Sequence, residues 1–323
     1  KHLLRGQRPS PRDMFLTPSN AQRLTKQLSQ MRGAAMKMGQ LLSLEAGDLL
    51  TPELAAVLRP LQAQAHFMPP AQLKQVLVKA WGADFTKRFK KFDVRPIAAA
   101  SIGQVHRAQT SDGRDLAIKV QYPGIRDSID SDLRNLASLM RLSGMMPKGL
   151  DLKPLLEDAR AQLHEEADHD QEARSLVRFG ALLKDDPNFI VPAHHDDLST
   201  RDILAMEYIP SDPIDCLEDA DQSTRNQMAE RLITLLMREV FEFNLVQSDP
   251  NFANFRWQPD TGKLVLLDFG ATRVLSPDLA ARSRAVLQPS LQNDLPGIAD
   301  ALRDLGLLSD ALPEKTRNKI LAM

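Results

Sequence analysis

The sequence has 323 residues, of which 43% are hydrophobic and 26% are charged, and 41 Lys and Arg residues nearly balance 42 Asp and Glu residues. This composition is ordinary for a globular protein, and it excludes collagen, disulfide scaffolds and transmembrane proteins. The net charge of −1 argues against a general nucleic-acid binder, because such proteins usually carry a basic excess. The single cysteine, Cys216, rules out an intrachain disulfide and is typical of a reducing compartment.

The first eighty residues are predicted to be mostly helical after a basic, Pro-containing arm over residues 1–18. Apolar residues recur at spacings of three and four over residues 24–42, which predicts a long helix. Small residues at positions 33–35 and 39 would let another segment approach this helix closely. Thr51 followed by Pro52 predicts a helix start, and a helix over residues 71–80 follows two prolines.

The rest of the chain mixes short strands with helices. Strands are predicted over residues 89–92, 102–109, 116–122, 190–193, 203–208 and 264–267. Helices are predicted over residues 125–142, 152–183 and 223–243, and helical patterns fill the C-terminal tail. Helices, then a small sheet with helices, then a mostly helical half predict an α+β protein with two lobes.

A lysine lies inside one apolar strand, in the Leu-Ala-Ile-Lys-Val segment over residues 116–120. This segment resembles the Val-Ala-Ile-Lys strand of kinases. A buried lysine is costly unless a carboxylate or a phosphate pairs with it. Considered alone, Lys119 is more simply explained as an edge-strand lysine that points into solvent.

Two acidic motifs follow in the C-terminal half. Asp249 and Asn254 have the Asp-x-x-x-x-Asn spacing of the kinase catalytic loop, in which the Asp orients the nucleophile and the Asn coordinates a metal ion. Apolar residues 264–267 lead into Asp268-Phe-Gly, a carboxylate at a strand end where Mg²⁺ can bind nucleotide phosphates. Asp268 lies 19 residues after Asp249, a separation that suits a short hairpin. Each motif alone could be an ordinary turn, but the order Lys, Asp, Asn, Asp predicts phosphoryl transfer of the kinase type.

The loop before the lysine strand occupies the place of the kinase Gly-x-Gly-x-x-Gly-x-Val loop. Gly103 and Val105 fit this pattern, whereas alanines replace the first two glycines. Because a Cβ stiffens the loop, we expect ATP to bind with an altered phosphate geometry. The residues of this loop that we predict to contact the nucleotide are Ala98, Ala99, Ala100, Ser101, Gly103 and Val105.

Three further motifs resemble the UbiB family of atypical protein-kinase-like proteins, also called the AarF-domain or ADCK-type family. They are Lys-Met-Gly-Gln over residues 37–40, the Ala-rich loop with Ser-Ile-Gly-Gln-Val-His over residues 101–106, and Glu-Ala-Asp over residues 166–168. Residues 247–255 are most similar to the mitochondrial coenzyme Q branch. The resemblance implies a bilobal protein-kinase-like fold. Its parts would be an N-terminal helical extension over residues 1–80, an N-lobe with helical insertions over residues 81–206 and a helical C-lobe over residues 207–323.

The resemblance also assigns roles in catalysis. Lys119 would bind the α- and β-phosphates of ATP and would form an ion pair with Glu172. Asn254 and Asp268 would hold Mg²⁺, and Asp249 would orient the nucleophile. The backbone of residues 205–209 would act as the hinge that hydrogen-bonds adenine.

The hinge contains Glu207 and Tyr208, which we predict to contact the nucleotide. Met206 is a candidate gatekeeper, and a buried core methionine explains it equally well.

The regulatory assignments concern the N-terminal helix. In the family this helix lies over the active site, so Lys37 and Gln40, one turn apart, would point into one cleft. Glu166 and Asp168 would engage this helix. On a continuous helix, Asp168 and Glu172 would share a face, and Glu166 would lie about 200° around from Asp168.

Several kinase features are missing from this sequence. Gln247-Ser248 replaces the His-Arg pair before Asp249, no Ala-Pro-Glu follows Asp268, and 53 residues remain after Gly270. These differences disfavour phosphorylation of external proteins. His194, His195 and the two following aspartates are interpreted as a loop rather than a metal site. The basic pairs at 87–88 and 90–91 are interpreted as solvated surface.

The function implied by the resemblance is a Mg²⁺-dependent ATPase that supports ubiquinone biosynthesis, with ATP or ADP and Mg²⁺ as cofactors. Quinone-pathway enzymes and lipid or quinone intermediates are the expected partners, and nucleic acid is not. A kinase for a protein or small molecule and a nucleotide-gated, non-enzymatic scaffold are the alternatives. The expected location is the bacterial cytoplasm or the mitochondrial matrix, at the periphery of the inner membrane.

Overall fold

The computed structural model describes residues 31–45, 67–143, 152–249, 251–309, 312 and 314–321. The helices are α1 (Arg32–Glu45), α2 (Pro70–Trp81), α3 (Ile125–Ser143), α4 (Leu152–Glu166), α5 (His169–Leu182), α6 (Gln222–Arg238), α7 (Pro277–Leu291), α8 (Leu295–Asp304) and α9 (Glu314–Leu321). The strands are β1 (Phe89–Phe92), β2 (Ala98–Ala99), β3 (Gly103–Thr110), β4 (Asp115–Gln121), β5 (Phe189–Ile190), β6 (Ile203–Glu207), β7 (Asp212–Pro213), β8 (Leu245–Gln247), β9 (Phe255–Gln258), β10 (Lys263–Leu266) and β11 (Thr272–Val274). The predicted N-terminal arm and the helix start at Thr51 lie outside the described residues.

The described residues form two compact units. The first unit takes its residues from Lys1–Gly180 and Pro192–Ile209, and the second from Ala181–Val191 and Pro210–Met323. The division into an extension and two lobes at residues 80 and 206 stays a prediction. None of the described helices is long and apolar enough to cross a membrane.

An antiparallel sheet in the order β1-β3-β4-β6, with β2 paired to β3, forms the centre of the first unit. Strands β1, β3, β4 and β6 begin and end within one residue of the predicted strands, because apolar side chains alternate along them and Gly113 adopts a positive φ of 97° in the predicted turn. Strand β2 is not among the predicted strands, because its two residues belong to the Ala-rich loop. Helix α2 packs on this sheet, and the indole nitrogen of its buried Trp81 donates to the Leu198 carbonyl at 2.9 Å. The strand predicted over residues 190–193 is shorter, since β5 ends at Ile190.

A second core in the first unit joins α1, α3 and α4 through buried apolar side chains such as Met38, Leu136 and Leu155. The prediction of a close approach to the small residues of α1 is confirmed at Gly33. A Cβ built on Gly33 would lie 3.3 Å from a methyl carbon of Ile102 and 3.5 Å from the Ser101 carbonyl oxygen. Helix α1 therefore packs directly against the Ala-rich loop.

The prediction of a single helix over residues 152–183 is wrong, because the helix is interrupted between α4, which ends at Glu166, and α5, which begins at His169. This interruption is called the break. Asp168 caps the second helix by accepting a hydrogen bond from the Gln171 N–H at 3.0 Å. The side-chain amide of Gln121, the last residue of β4, donates to the Ala167 carbonyl at 2.8 Å. These bonds satisfy two backbone groups at the break, the Gln171 N–H and the Ala167 carbonyl.

The second unit contains a four-stranded sheet in the order β5-β10-β9-β7 and a two-stranded ribbon of β11 and β8. Strands β9 and β10 form the short hairpin that the spacing of Asp249 and Asp268 predicts. Buried Trp257 lies on β9, with the Arg231 guanidinium 5.6 Å from its ring centre. The predicted helix over residues 223–243 ends differently, since its last turn is a π-helix over Glu239–Phe243.

The π-helical turn places the carboxylate of Glu239 inside the second unit, where it is 5% exposed. The backbone N–H of Gln247 donates to this carboxylate at 3.3 Å. Burial raises the pKa of Glu239 to about 7, against the weaker opposite effect of the Gln247 hydrogen bond. A carboxyl with a raised pKa in the folded state holds its proton where the unfolded chain releases it, so its contribution to stability falls as the pH rises from about 4.5 to about 7.

Replacing Glu239 with Gln should therefore stabilise the protein above about pH 7, by up to about 3 kcal/mol, and should have little effect near pH 4.5. Urea denaturation at several pH values would measure this difference. Glu242→Gln, which changes an exposed carboxylate paired with Arg238 in the same turn, is the control and should not reproduce the pattern. A stability difference for Glu239→Gln that does not vary with pH would contradict the prediction.

Candidate functional site

The lysine strand of the first unit carries a buried ion pair. Lys119 lies on β4, opposite Val105 of β3 and Leu204 of β6, and is 8% exposed. Its ammonium donates to both carboxylate oxygens of Glu172 on α5, at 2.8 and 2.9 Å, and Glu172 is 1% exposed. The interpretation of Lys119 as a solvent-facing lysine is therefore wrong. The Glu172 carboxylate offsets the cost of burying the Lys119 ammonium. Its predicted role in phosphate binding stays a prediction.

The Ala-rich loop is a tight hairpin between β2 and β3. Ala98 pairs with Val105 across this hairpin, and the Ala100 N–H donates to the Gly103 carbonyl at 2.9 Å. Gly103 is required by packing, because a Cβ at this position would lie 2.4 Å from the Val120 carbonyl oxygen. The exposed Ala98 and Ala99 thus belong to a paired strand. The glycine that packing requires is Gly103, where β3 lies against β4.

Gln104 and His106, the polar residues that follow in this motif, are fully buried and bond to each other at 2.8 Å. Gln104 accepts from the Met68 N–H at 2.7 Å, and the second ring nitrogen of His106 lies 2.8 Å from the Asp93 carbonyl oxygen. Burial lowers the pKa of His106, so its imidazole stays neutral at physiological pH. These two motif residues hold β3 to the neighbouring segments.

The Lys-Met-Gly-Gln helix is tied to the end of α4 by a second buried ion pair. The Lys37 ammonium, 4% exposed, lies 2.7 Å from a carboxylate oxygen of Glu166. The other carboxylate oxygen of Glu166 accepts from the Ser101 hydroxyl of the Ala-rich loop. Glu166 therefore connects α1 to the loop that is predicted to contact the nucleotide. The side chain of Gln40 lies outside the described residues.

The acidic run over residues 165–172 is only partly the solvated helix face that its charge suggests. The helical-wheel relation of Glu166 to Asp168 is wrong, because the two residues lie on opposite sides of the break between α4 and α5. Asp168 lies one turn before Glu172, since its carbonyl accepts a hydrogen bond from the Glu172 N–H at 3.0 Å. His169 begins α5 and is 1% exposed, with neither ring nitrogen hydrogen-bonded to a described residue. Burial, aided by the Lys119 charge and then the Arg126 charge, holds the pKa of His169 well below its usual range, so this imidazole is neutral.

The predicted hinge, residues 205–209, begins within β6, which ends at Glu207. The Glu207 N–H donates to the Ala193 carbonyl at 2.8 Å, and the Tyr208 N–H donates to the Asp115 carbonyl at 2.9 Å. An adenine that bonds to these two residues would therefore use their carbonyl oxygens. Met206 is 6% exposed, and its gatekeeper and core interpretations remain open.

Asp249 and Asn254, which are predicted to belong to a catalytic loop, lie within hydrogen-bond reach of each other in the second unit. The side-chain amide of Asn254 donates to the Asp249 carbonyl at 3.3 Å and to the Asp249 carboxylate at 3.4 Å. The Leu267 N–H donates to the Asn254 carbonyl at 3.0 Å, which joins this loop to the end of β10. The loop therefore lies beside the residue that follows Leu267, Asp268.

Asp268 is half-buried and folds its carboxylate back to accept from the Gly270 N–H at 2.9 Å. Its carbonyl oxygen accepts from the side-chain amide of Gln247 at 3.1 Å. The Oε1 atom of Gln247 accepts from the Asp249 N–H at 2.5 Å. Gln247 is the residue that sequence reasoning missed here, because it was considered only as a substitute for the kinase histidine.

The donor chemistry at this place fits a magnesium ion. The amide oxygen of Asn254 and the carboxylate of Asp268 are hard oxygen ligands, and Mg²⁺ commonly takes one or two such ligands with water and nucleotide phosphates. Within the described part of the chain, no group of three or more His, Cys, Asp or Glu residues could hold a metal ion by itself.

His194 and His195 lie between β5 and β6, outside the named helices and strands, as the loop interpretation predicts. His194 bonds to the Ser199 hydroxyl at 2.9 Å, and a ring nitrogen of His195 lies 3.2 Å from the Arg114 guanidinium.

Breaking the Lys37 ion pair should be costly. Glu166→Gln keeps an acceptor for Ser101 but leaves the buried Lys37 ammonium without a carboxylate, so we expect a loss of about 3–5 kcal/mol in the free energy of unfolding. Adding Lys37→Met should restore part of this loss. Denaturant titration of both variants, with Glu157→Gln on the exposed face of α4 as control, measures it. A double variant as unstable as the sum of its single changes would contradict this account.

The ABC1 atypical kinase-like domain matches residues 60–302. The chain is 41% identical over 307 residues to the atypical kinase COQ8, mitochondrial, of Saccharomyces cerevisiae. This match covers 95% of this chain and 61% of that protein. It is 40% identical to the atypical kinase COQ8B, mitochondrial, of Danio rerio, over 80% of this chain and 42% of that protein. The chain thus spans about half the length of these curated relatives.

Among solved structures, the chain is similar to Rv3197 of Mycobacterium tuberculosis, determined in complex with erythromycin. The TM-score is 0.64 at 25% identity, and the match covers 94% of this chain and 78% of that one. The prediction of an α+β, protein-kinase-like fold is confirmed. Because the matched domain covers more than half of the sequence, this chain belongs to the ABC1 atypical kinase-like family, the family also called UbiB.

Proposed function

We propose that this chain binds ATP with Mg²⁺ and catalyses phosphoryl transfer to water. The observation that carries the proposal is the network that holds Asp249, Asn254 and Asp268 beside one another in the second unit. These are the residue types that kinase-type phosphoryl transfer uses to orient a nucleophile and to hold the metal ion. The buried ion pair of Lys119 with Glu172 supports the proposal, since active kinases need such a pair.

Each of these residues has a separate role in the proposed reaction. Lys119 donates to phosphate oxygens, and Asn254 and Asp268 hold the metal ion, which when bound offsets phosphate charge. Asp249 accepts a hydrogen bond from the attacking water and orients its lone pair toward the γ-phosphorus. The new bond joins the water oxygen to phosphorus, the bond to the bridging oxygen breaks, and ADP leaves with its electron pair. One proton of the water stays on the phosphate, and the other passes to Asp249 and then to solvent.

The residue before Asp249 supports water, rather than a protein, as the acceptor. Ser248 replaces the arginine that ordinarily anchors a phosphorylated activation loop, and its hydroxyl donates to the Ala271 carbonyl at 2.8 Å. The length of chain after Gly270 carries no weight, because this chain spans only part of its relatives.

The proposed biological role is support of ubiquinone biosynthesis. It is supported by the resemblance of residues 247–255 to the coenzyme Q branch and by the similarity to proteins named atypical kinase COQ8. Those relatives are named mitochondrial, which supports a mitochondrial location for this chain. The proposed partners are enzymes and intermediates of that pathway.

The metal assignment is tested by Asp268→Asn, which keeps an acceptor for the Gly270 N–H. Saturating Mg-ATP should raise the melting temperature of the wild type by a few degrees, on the order of 3 kcal/mol at a hundredfold excess over Kd, and should leave Asp268→Asn nearly unshifted. Asp260→Asn changes an exposed carboxylate in the β9–β10 hairpin and should behave as wild type. An equal shift in Asp268→Asn would mean that Asp268 does not hold the ion.

The reaction itself is tested by Asp249→Asn in an assay of phosphate release. We expect the rate to fall by about 10²- to 10⁴-fold while the Mg-ATP thermal shift persists, because Asp249 is proposed to act on the nucleophile. Equal release by both proteins would favour a nucleotide-gated scaffold. Asp249-dependent transfer of radiolabel from ATP to a cell extract would favour a kinase. Phosphate release measured in the presence of liposomes and of phenolic quinone-precursor mimics tests the proposed pathway.

A further inference from the structure

Gln247 joins the two loops of the proposed catalytic centre through one side chain. Its Oε1 atom accepts from the Asp249 N–H at 2.5 Å, and its Nε2 atom donates to the Asp268 carbonyl at 3.1 Å. A neutral amide is suited to this place because it offers a donor and an acceptor on one rigid plane. A hydrocarbon side chain of the same length would provide neither bond.

The backbone of Gln247 is itself held on two sides. Gln247 pairs with Thr272 in the β8–β11 ribbon, and its N–H donates to the buried carboxylate of Glu239 at 3.3 Å. The neighbouring Ser248 adds a backbone hydrogen bond at 2.9 Å and a side-chain hydrogen bond at 2.8 Å, both to the Ala271 carbonyl. The amide group of Gln247 therefore projects from a fixed strand end rather than from a mobile loop.

We propose that Gln247 is a positioning residue that sets the place of Asp249, the residue that orients the nucleophile, relative to Asp268, the metal ligand. This inference rests on the proposed function. Gln247 does not touch the reacting atoms in this role, since both of its side-chain bonds go to backbone groups of the two acidic residues. The alignment of nucleophile and metal ion matters most in the transition state, where small displacements cost large factors in rate.

The loss of this bridge should therefore appear in kcat rather than in nucleotide binding. Gln247→Met keeps the length of the side chain and removes both hydrogen bonds. We expect kcat for phosphate release to fall by about 10- to 100-fold, with KM for Mg-ATP and the Mg-ATP thermal shift within about twofold of wild type. Gln247→His offers one ring donor and one ring acceptor and should recover part of kcat.

The second unit contains a matched control. Gln258 also uses its amide as a donor, to the Pro210 carbonyl at 3.3 Å, and as an acceptor, from the Thr261 hydroxyl at 2.6 Å. Gln258→Met therefore removes an equivalent pair of bonds at a distance in sequence from both acidic residues, and it should leave kcat within about twofold. Gln247→Glu, an isosteric change that keeps the acceptor and loses the donor, serves if Gln247→Met fails to fold, and its kcat should also fall.

The outcomes separate this inference from the proposed function. A wild-type protein that binds Mg-ATP but neither releases phosphate nor transfers it would overturn both. Wild-type turnover with unchanged kcat in folded Gln247→Met or Gln247→Glu would overturn the role of Gln247 alone. An equal loss in Gln258→Met, or a loss confined to KM, would show that the effect is general destabilisation or binding rather than positioning.

Discussion

Two almost fully buried lysines impose the main constraint on the first unit. An ammonium group taken out of water is tolerated only when a carboxylate lies within hydrogen-bond reach. Lys37 on α1 pairs with Glu166, and Lys119 on β4 pairs with Glu172. Both carboxylates come from one stretch of seven residues that spans the break between α4 and α5. The helix that resembles the family's regulatory element and the strand that carries the proposed phosphate ligand thus depend on the same short piece of chain.

Sequence patterns were sufficient for the sheet of the first unit but not for this break. Alternating apolar residues and the turn at Gly113 locate β3 and β4 within a residue or two. The break was missed because apolar spacing continues through residues 152–183, and hydrophobic periodicity does not report where backbone hydrogen bonds stop. What ends the first helix is a contact distant in sequence, from Gln121 to the Ala167 carbonyl, together with the cap that Asp168 provides.

In the second unit, too, sequence patterns predict secondary structure but not the contacts that hold it in place. The spacing of Asp249 and Asp268, together with the apolar run over residues 264–267, is sufficient to predict the hairpin between them. The spacing does not reveal what holds the two ends of that hairpin together. Gln247 and Glu239 look like ordinary polar residues in sequence, and their bonds arise only when the β8–β11 ribbon and the π-helical turn bring backbone groups to them.

The two tryptophans provide an intrinsic fluorescence signal from each of the two units. The sequence contains two tryptophans; Trp81 lies in the first unit and Trp257 in the second, and both are buried. The Trp81 indole bonds to a carbonyl, whereas Trp257 lies beside the Arg231 guanidinium, so the two emit from different surroundings. Fluorescence of variants that keep only one tryptophan would therefore follow the thermal unfolding of each unit separately, without any added label.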